Sequence, residues 1–274
     1  MHTEYKIGMI GLGLIGASMA KAFKENTNCI VAGYDINPET ITKAVNEGVI
    51  DAEARYEECD IIISALYPDA TVDFVKKNCH KIKKGALVLD CGGTKELVCR
   101  ECSKTAEEYG FKFIGMHPMA GIEHSGYDFS TGNLFRGASL IICSEEKQPE
   151  IEELFGKIGF EIFRYTTAEE HDRIIAFTSQ LAHVVSNAFV KSPQYPSHLG
   201  YSAGSLKDLT RVAWLNETMW TELFLQNADN LAFEIDTIIE NLKKYSDAIK
   251  THNDGELRNL LKEGRMIKEK VDGR

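Results

Sequence analysis

The sequence has no apolar run that approaches the length of a membrane span, which takes about 20 residues, so no membrane-crossing helix is expected. Its start, Met1-His2-Thr3-Glu4-Tyr5-Lys6, runs straight into a short strand pattern and lacks the basic and apolar regions of a secretory leader. Positive charge is scarce: 31 Lys and Arg stand against 41 Asp and Glu, a formal net charge of -10, with no local basic cluster. Such a surface repels nucleic acid and anionic membrane, and neither is an expected partner. If the substrate is an anion, its counter-charge must come from one or two placed arginines and from helix N-termini. The seven cysteines are an odd count without secretory context, which fits reduced thiols in a cytosol. Cys99 and Cys102 form a lone C-x-x-C with no second Cys pair or paired His nearby, so no metal site is expected. Internal repeats and low-complexity tracts are also missing.

What is present is the composition of an ordinary folded protein, 43% hydrophobic and 26% charged over 274 residues, enough for one large or two modest domains. Short β-branched runs at Lys6 to Ile10, Ile30 to Tyr34, Ile61 to Leu66, Ala86 to Leu89, Phe111 to Met116 and Leu140 to Cys143 alternate with helix-length segments. That alternation predicts an α/β fold with a doubly wound, mainly parallel sheet covered by helices on both faces. From about Thr166 helical periodicity takes over, in Ala168 to Lys191, Leu215 to Lys243 and Leu257 to Val271, with loops around Ser192 to Pro196 and Gly200 to Gly204. The expected division is a nucleotide-binding domain over 1–165 and an all-helical domain over 166–274. A thin body of helix hairpins buries little on its own, so a homodimer is expected.

Gly11-Leu12-Gly13-Leu14-Ile15-Gly16 sits directly after the first strand and opens a helix. The three glycines allow a tight turn, close approach of backbone to a pyrophosphate and close helix-on-strand packing, while the helix N-terminus meets the phosphate charge. Asp35, at the end of the second strand, stands about twenty residues further on, where a carboxylate accepts hydrogen bonds from adenosine ribose hydroxyls and repels a 2′-phosphate. NAD is therefore expected rather than NADP. Ser64-Ala65-Leu66-Tyr67-Pro68 and Asp90-Cys91-Gly92-Gly93-Thr94-Lys95 occupy the corresponding sheet edge, the first on the cofactor side and the second towards the nicotinamide; plain turn chemistry accounts for both equally well.

His117, in His117-Pro118-Met119-Ala120-Gly121, follows the fifth strand at that edge, where an imidazole can take a proton from a hydroxyl while hydride leaves the same carbon. Ser179 and His183 are spaced i, i+4 in an amphipathic helix, a pattern that serves structure as readily as catalysis. Arg211 is either a bidentate fork for a carboxylate or the partner of Asp208 in an i, i+3 ion pair.

The glycine turn, the Asp90 to Lys95 segment, His117 to Gly121 with Glu123, Ser125 and Gly126, Ser179 to His183, and Lys207 to Arg211 with Met219-Trp220 together resemble the prephenate/arogenate dehydrogenases of tyrosine biosynthesis over nearly the whole chain. The resemblance implies oxidative decarboxylation of prephenate with NAD to 4-hydroxyphenylpyruvate, or of arogenate to tyrosine. It implies that His117 accepts the proton of the ring hydroxyl, that Arg211 holds the ring carboxylate, and that His183 orients the substrate. Glu123, Ser179, Gln180 and Trp220 would line the substrate, and Gly11, Gly13, Leu14, Ile15, Gly16, Asp35, Ser64 and Leu66 the cofactor. The chain departs from the pattern at Gly93, where many members carry a serine that assists the histidine, at Gln180, where some carry histidine, and at Ala182, where many carry proline. Thr94 is the candidate to supply the hydroxyl that Gly93 cannot. Two other readings compete: a β-hydroxyacid dehydrogenase with Lys191 or Lys207 as catalytic lysine, against which the His-Pro segment argues, and a non-catalytic NAD-binding regulatory module.

Replacing Asp35 by Ala is expected to weaken NAD binding more than NADP binding in a fluorescence titration; an unchanged ratio of the two affinities would remove Asp35 from the ribose site.

Overall fold

The computed structural model describes residues 5–122 and 124–273. β1 (Lys6–Ile10) runs into α1 (Leu14–Asn26), and the alternation continues through β2 (Ile30–Tyr34), α2 (Pro38–Asn46), the short β3 (Ala52–Glu53), β4 (Ile61–Ser64), α3 (Pro68–Asn78), β5 (Leu87–Asp90) and α4 (Glu96–Tyr109). β6 (Lys112–Pro118), β7 (Ser139–Cys143), α5 (Pro149–Lys157) and β8 (Ile162–Thr166) complete one eight-stranded sheet in the order β3-β2-β1-β4-β5-β6-β7-β8. Every neighbouring pair is parallel except β6 and β7. The chain moves outward from β1 to β2 and β3, then returns to place β4 on the other side of β1. That reversal opens a crevice at the C-terminal ends of β1 and β4, where open α/β sheets bind ligands.

Local sequence accounts for these elements. Ile61-Ile62-Ile63 in β4 and Leu87-Val88-Leu89 in β5 are continuous apolar runs because both faces of a central parallel strand are covered. On one face α1 and α5 bring Met19, Phe23, Ile151 and Phe155 into one core; on the other α3 and α4 bring Val72, Val75, Val98 and Cys102 into a second. Helix starts carry their own signals: Asn37 caps α2 through the Glu39 N–H with Pro38 in the first turn, and Thr167 caps the first helix of the second half through Glu170 N–H.

After β8 the described residues are helical or irregular: α6 (Ala168–Ile175), a π-helical stretch (Ala176–Leu181), α7 (Ala182–Phe189), α8 (Gly204–Thr210), α9 (Glu217–Gln226), α10 (Ala228–Lys250) and α11 (Asp254–Asp272), with one short 3-10 turn at Tyr195–Ser197. No described helix is long and apolar enough to cross a membrane. Two expected single helices are interrupted. Ala168 to Lys191 contains the π-helical stretch, and Leu215 to Lys243 breaks at Asn227, whose φ and ψ of -117° and 32° leave the helical region. Two strands were not expected. β3 is two exposed residues, and β8 is an edge strand whose side chains are half-exposed or exposed, so neither shows a clean alternation.

Phe155 packs edge-to-face on Phe23 at 5.7 Å and tilted against Phe160 at 5.9 Å. Phe155→Ala is expected to cost about 3–5 kcal/mol of unfolding free energy in urea titration.

Candidate active site

The glycine turn is built as a dinucleotide cradle requires. Gly11 has φ +87°, and a Cβ on it would lie 2.8 Å from Leu66 Cδ2 and 2.9 Å from the Ala65 carbonyl oxygen. A Cβ on Gly16 would lie 1.9 Å from the Gly11 carbonyl oxygen. Gly13 has open space around it and is the N-cap of α1 without a side-chain cap, so the N–H groups at Leu14 and Ile15 are left for a ligand's charge. Asp35 is held beside this turn by N–H donors from Leu12 (2.8 Å) and Asn37 (2.9 Å). Ser64 is buried, and its hydroxyl shares a 2.8 Å hydrogen bond with that of Thr71, so it braces the floor of the crevice. These residues fit a dinucleotide with an unmodified ribose.

His117 lies near the end of β6, opposite Ile141 of β7. Its Nδ1 is 2.9 Å from His171 Nε2, and His171 Nδ1 is 2.7 Å from Asp172 Oδ1. The Asp172 carboxylate, carried by α6, also accepts the N–H groups of Lys95 (2.8 Å) and Glu96 (2.9 Å), and so caps α4 from outside. Beneath lies a fully buried ion pair, Lys95 Nζ to Asp90 Oδ2 at 2.5 Å, with Asp90 also accepting N–H groups from Gly92 and Met116. Asp90 is an acceptor in every one of these contacts; burial opposes the Lys95 ammonium, but the charge and hydrogen bond of Asp90 together with the nearby Cys99 and Cys143 hold it above its ordinary pKa. Burial pushes the His117 pKa well below the ordinary imidazole value, and the Lys95 ammonium adds to the effect. Burial also lowers His171, against the pull of Asp172.

The helical half supplies a second cluster. His183 Nδ1 donates to the Ser179 carbonyl at 2.8 Å, which fixes the tautomer, and its ring lies 4.0 Å from that of Trp220. Arg211 directly follows α8, close enough that its charge adds to burial in lowering the His183 pKa. α9 docks this cluster on the sheet edge: Leu223 methyls lie 3.2 and 3.3 Å from where a Cβ on Gly93 would be, and Glu222 accepts the Asp69 N–H at the start of α3.

The structure thus brings Ser179, His183, Arg211 and Trp220 together and sets Leu223 against the Gly93 loop. Two expected ligand contacts come out differently. Thr94 is buried and its hydroxyl donates to Gln226 Oε1 at 2.6 Å, so it ties α9 to the sheet and has no hydrogen left for a ligand. Gln180 is buried, with its amide donating to the Leu223 carbonyl and accepting from Asn227, which makes it a brace between helices. Glu123 lies outside the described residues. Sequence reasoning missed His171, Asp172, Asn227 and the Lys95–Asp90 pair. The available signal was a titratable dipeptide, His171-Asp172, on the same helical repeat as the apolar Ile175.

A glycine cradle at a topological switch point, a depressed histidine at the same edge and a helical half docked across it define a dinucleotide-dependent oxidoreductase in two parts. Family models extend this: residues 19–159 match the prephenate dehydrogenase nucleotide-binding domain and residues 167–263 the prephenate dehydrogenase dimerization domain. The chain belongs to the prephenate dehydrogenase family. It is 32% identical to the prephenate dehydrogenase of Lactococcus lactis, over 97% of this chain and 77% of that protein. It is 29% identical to the cyclohexadienyl dehydrogenase of Zymomonas mobilis, over 95% and 94%. Its fold superposes with a TM-score of 0.84 on Aquifex aeolicus prephenate dehydrogenase in complex with hydroxyphenyl propionate and NAD+, at 27% identity, covering 98% of this chain and 99% of that one.

Three histidines, His117, His171 and His183, have lowered pKa values in the folded chain. The unfolded chain takes up these protons as the pH falls through about 6.5, whereas the folded chain resists them, so the unfolded state binds more protons and stability declines from about pH 6.5 downward. The urea midpoint is expected to fall between pH 7 and 5; a constant midpoint would show that these imidazoles are not held neutral.

Proposed function

We propose that the chain is an NAD-dependent prephenate dehydrogenase that converts prephenate to 4-hydroxyphenylpyruvate and carbon dioxide in tyrosine biosynthesis. The observation that carries this reading is His117 at the C-terminal edge of β6. Its Nδ1 is engaged by His171, while its Nε2 makes no hydrogen bond among the described residues. The similarity to the Lactococcus lactis enzyme over 97% of this chain supports the substrate class.

NAD, when bound, accepts the hydride from the ring carbon that bears the hydroxyl. Asp35 would receive its adenosine ribose hydroxyls, and the N-terminus of α1 at Gly13, Leu14 and Ile15 would hold its pyrophosphate. Leu66 and Ser64 shape the crevice wall and floor. His117 Nε2 takes the hydroxyl proton as the carbon–hydrogen bond breaks, and a neutral imidazole is ready for this because burial keeps it unprotonated. The ring then loses its carboxyl group as carbon dioxide, the electrons restore aromaticity, and the proton returns to the phenolic oxygen. Arg211 holds the departing carboxylate, and it meets the need for local positive charge in a chain of net charge -10. His183, packed against Trp220 and oriented by the Ser179 carbonyl, sets the substrate against the Gly93 loop.

The similarity to a cyclohexadienyl dehydrogenase favours a second reading on the same machinery, with arogenate as the ring acid. A homodimer is part of the proposal: the match to a dimerization domain and the exposed apolar Phe233, Ile239 and Leu242 of α10 and Leu261 and Val271 of α11 support a face covered by a second copy. The seven free thiols support a reducing, cytoplasmic setting.

Formation of NADH or NADPH with prephenate and arogenate, each with NAD and NADP, tests the reading; no turnover of either acid would overturn it. His117→Ala is expected to lower kcat on the order of 10²- to 10⁴-fold, and Arg211→Ala chiefly to raise KM for the ring acid. The reverse pattern would exchange the roles.

A further inference from the structure

We propose that His171 and Asp172 stand behind His117 as positioning residues that fix its tautomer, with hydrogen on Nδ1 and the lone pair on Nε2, and that hold the imidazolium once it forms. The proposal rests on the reading of His117 as the base.

The order of donors follows from Asp172 outward. Its Oδ1 meets Lys95 N–H and His171 Nδ1, and its Oδ2 meets Glu96 N–H. An ionised carboxylate only accepts, and both oxygens of this one already accept backbone N–H groups at the start of a 14-residue helix. His171 Nδ1 must therefore carry the hydrogen. A neutral imidazole has one N–H, so His171 Nε2 is an acceptor, and its neighbour at 2.9 Å, His117 Nδ1, must be the donor. The lone pair of His117 is left on Nε2, the nitrogen with no partner among the described residues. With no His171, a free choice of tautomer would leave part of the His117 population carrying hydrogen on the wrong nitrogen.

The same chain handles charge. Besides Asp172 from α6, the groups facing the two rings are the Lys95 ammonium at the start of α4 and the Asp90 carboxylate at the end of β5. Lys95 and Asp90 neutralise one another at 2.5 Å. Asp172 is then the charge not matched by a side-chain cation, two rings away from the proton that His117 receives. When the substrate O–H bond breaks and the proton bonds to Nε2, the Nδ1 hydrogen stays on His117 and its bond to His171 becomes charge-assisted; no second transfer is needed. An aspartate that holds a histidine by tautomer and orientation, without itself taking the proton, has a parallel in serine hydrolase triads. Asp172 is also tied to the helical half, because its carbonyl accepts from Asn227 Nδ2 at 2.8 Å.

Two measurements test this. Long-range ¹⁵N–¹H spectra of the labelled full-length protein near pH 8 are expected to show His117 as the Nδ1–H tautomer; an Nε2–H tautomer overturns the proposal without any variant. In kinetics, His171→Phe keeps volume but removes the acceptor, and is expected to lower kcat on the order of 10²-fold with KM for prephenate nearly unchanged. His171→Gln, which keeps an acceptor towards His117 and a donor towards Asp172, is expected to recover most of that loss. Wild-type kcat in His171→Phe alongside an inactive His117→Ala overturns the relay but leaves the base. Wild-type kcat in His117→Ala overturns the base reading itself. A His171→Phe protein that loses its circular dichroism leaves the decision with the tautomer spectrum.

Discussion

The Asp172 carboxylate on the N-terminus of α4 is the joint on which the two halves of the molecule turn. Its two oxygens accept backbone N–H groups from the sheet half, its carbonyl accepts from Asn227 at the α9–α10 break, and its neighbour His171 meets His117 on β6. A buried carboxylate is costly unless its lone pairs are matched, and here the helix end and the imidazole match them. Because the groups that satisfy Asp172 come from both halves, separating the halves would leave a buried charge exposed to loss of its partners. The geometry of the catalytic edge and the docking of the helices are therefore one requirement.

The sheet and the cofactor side were legible because their signals are local. Glycines at fixed spacing, a preceding strand, a following helix and a carboxylate at the end of β2 all lie within residues 6 to 35 and describe one continuous piece of chain. His117 was legible for the same reason, as a histidine at a strand end. His171, Asp172 and Asn227 were not, since each acquires its role from partners at least 47 residues away in sequence, as with Asn227 and Gln180 or His171 and His117. Thr94 and Gln180 show the opposite case. Their residue types suit ligand contact, but burial at 1% exposure and pairing with α9 or its neighbour Asn227 make them internal fasteners.

Gly93 shows how one small residue changes its surroundings. Leu223 occupies the space beside it so closely that an added Cβ would push on both leucine methyls. With Thr94 turned to Gln226, this loop offers apolar atoms and backbone where a hydroxyl stands in many members of the family. In the proposed reaction the burden of meeting a substrate hydroxyl then passes to β6, which makes the fixed orientation of the His117 ring matter more.

The π-helical stretch Ala176–Leu181 sets the rotational phase of the helical half. Over the twelve residues from His171 to His183 a regular α-helix would leave the two side chains about 120° apart around the axis. Six steps of the wider turn, each about 18° short of the α-helical step, remove most of that angle. His171, on one side of this stretch, meets His117 at the sheet edge, and His183, on the other, meets Trp220. A single inserted or deleted residue in this stretch would act as a misaligned gear tooth, leaving each histidine's local helix intact while turning one out of the crevice.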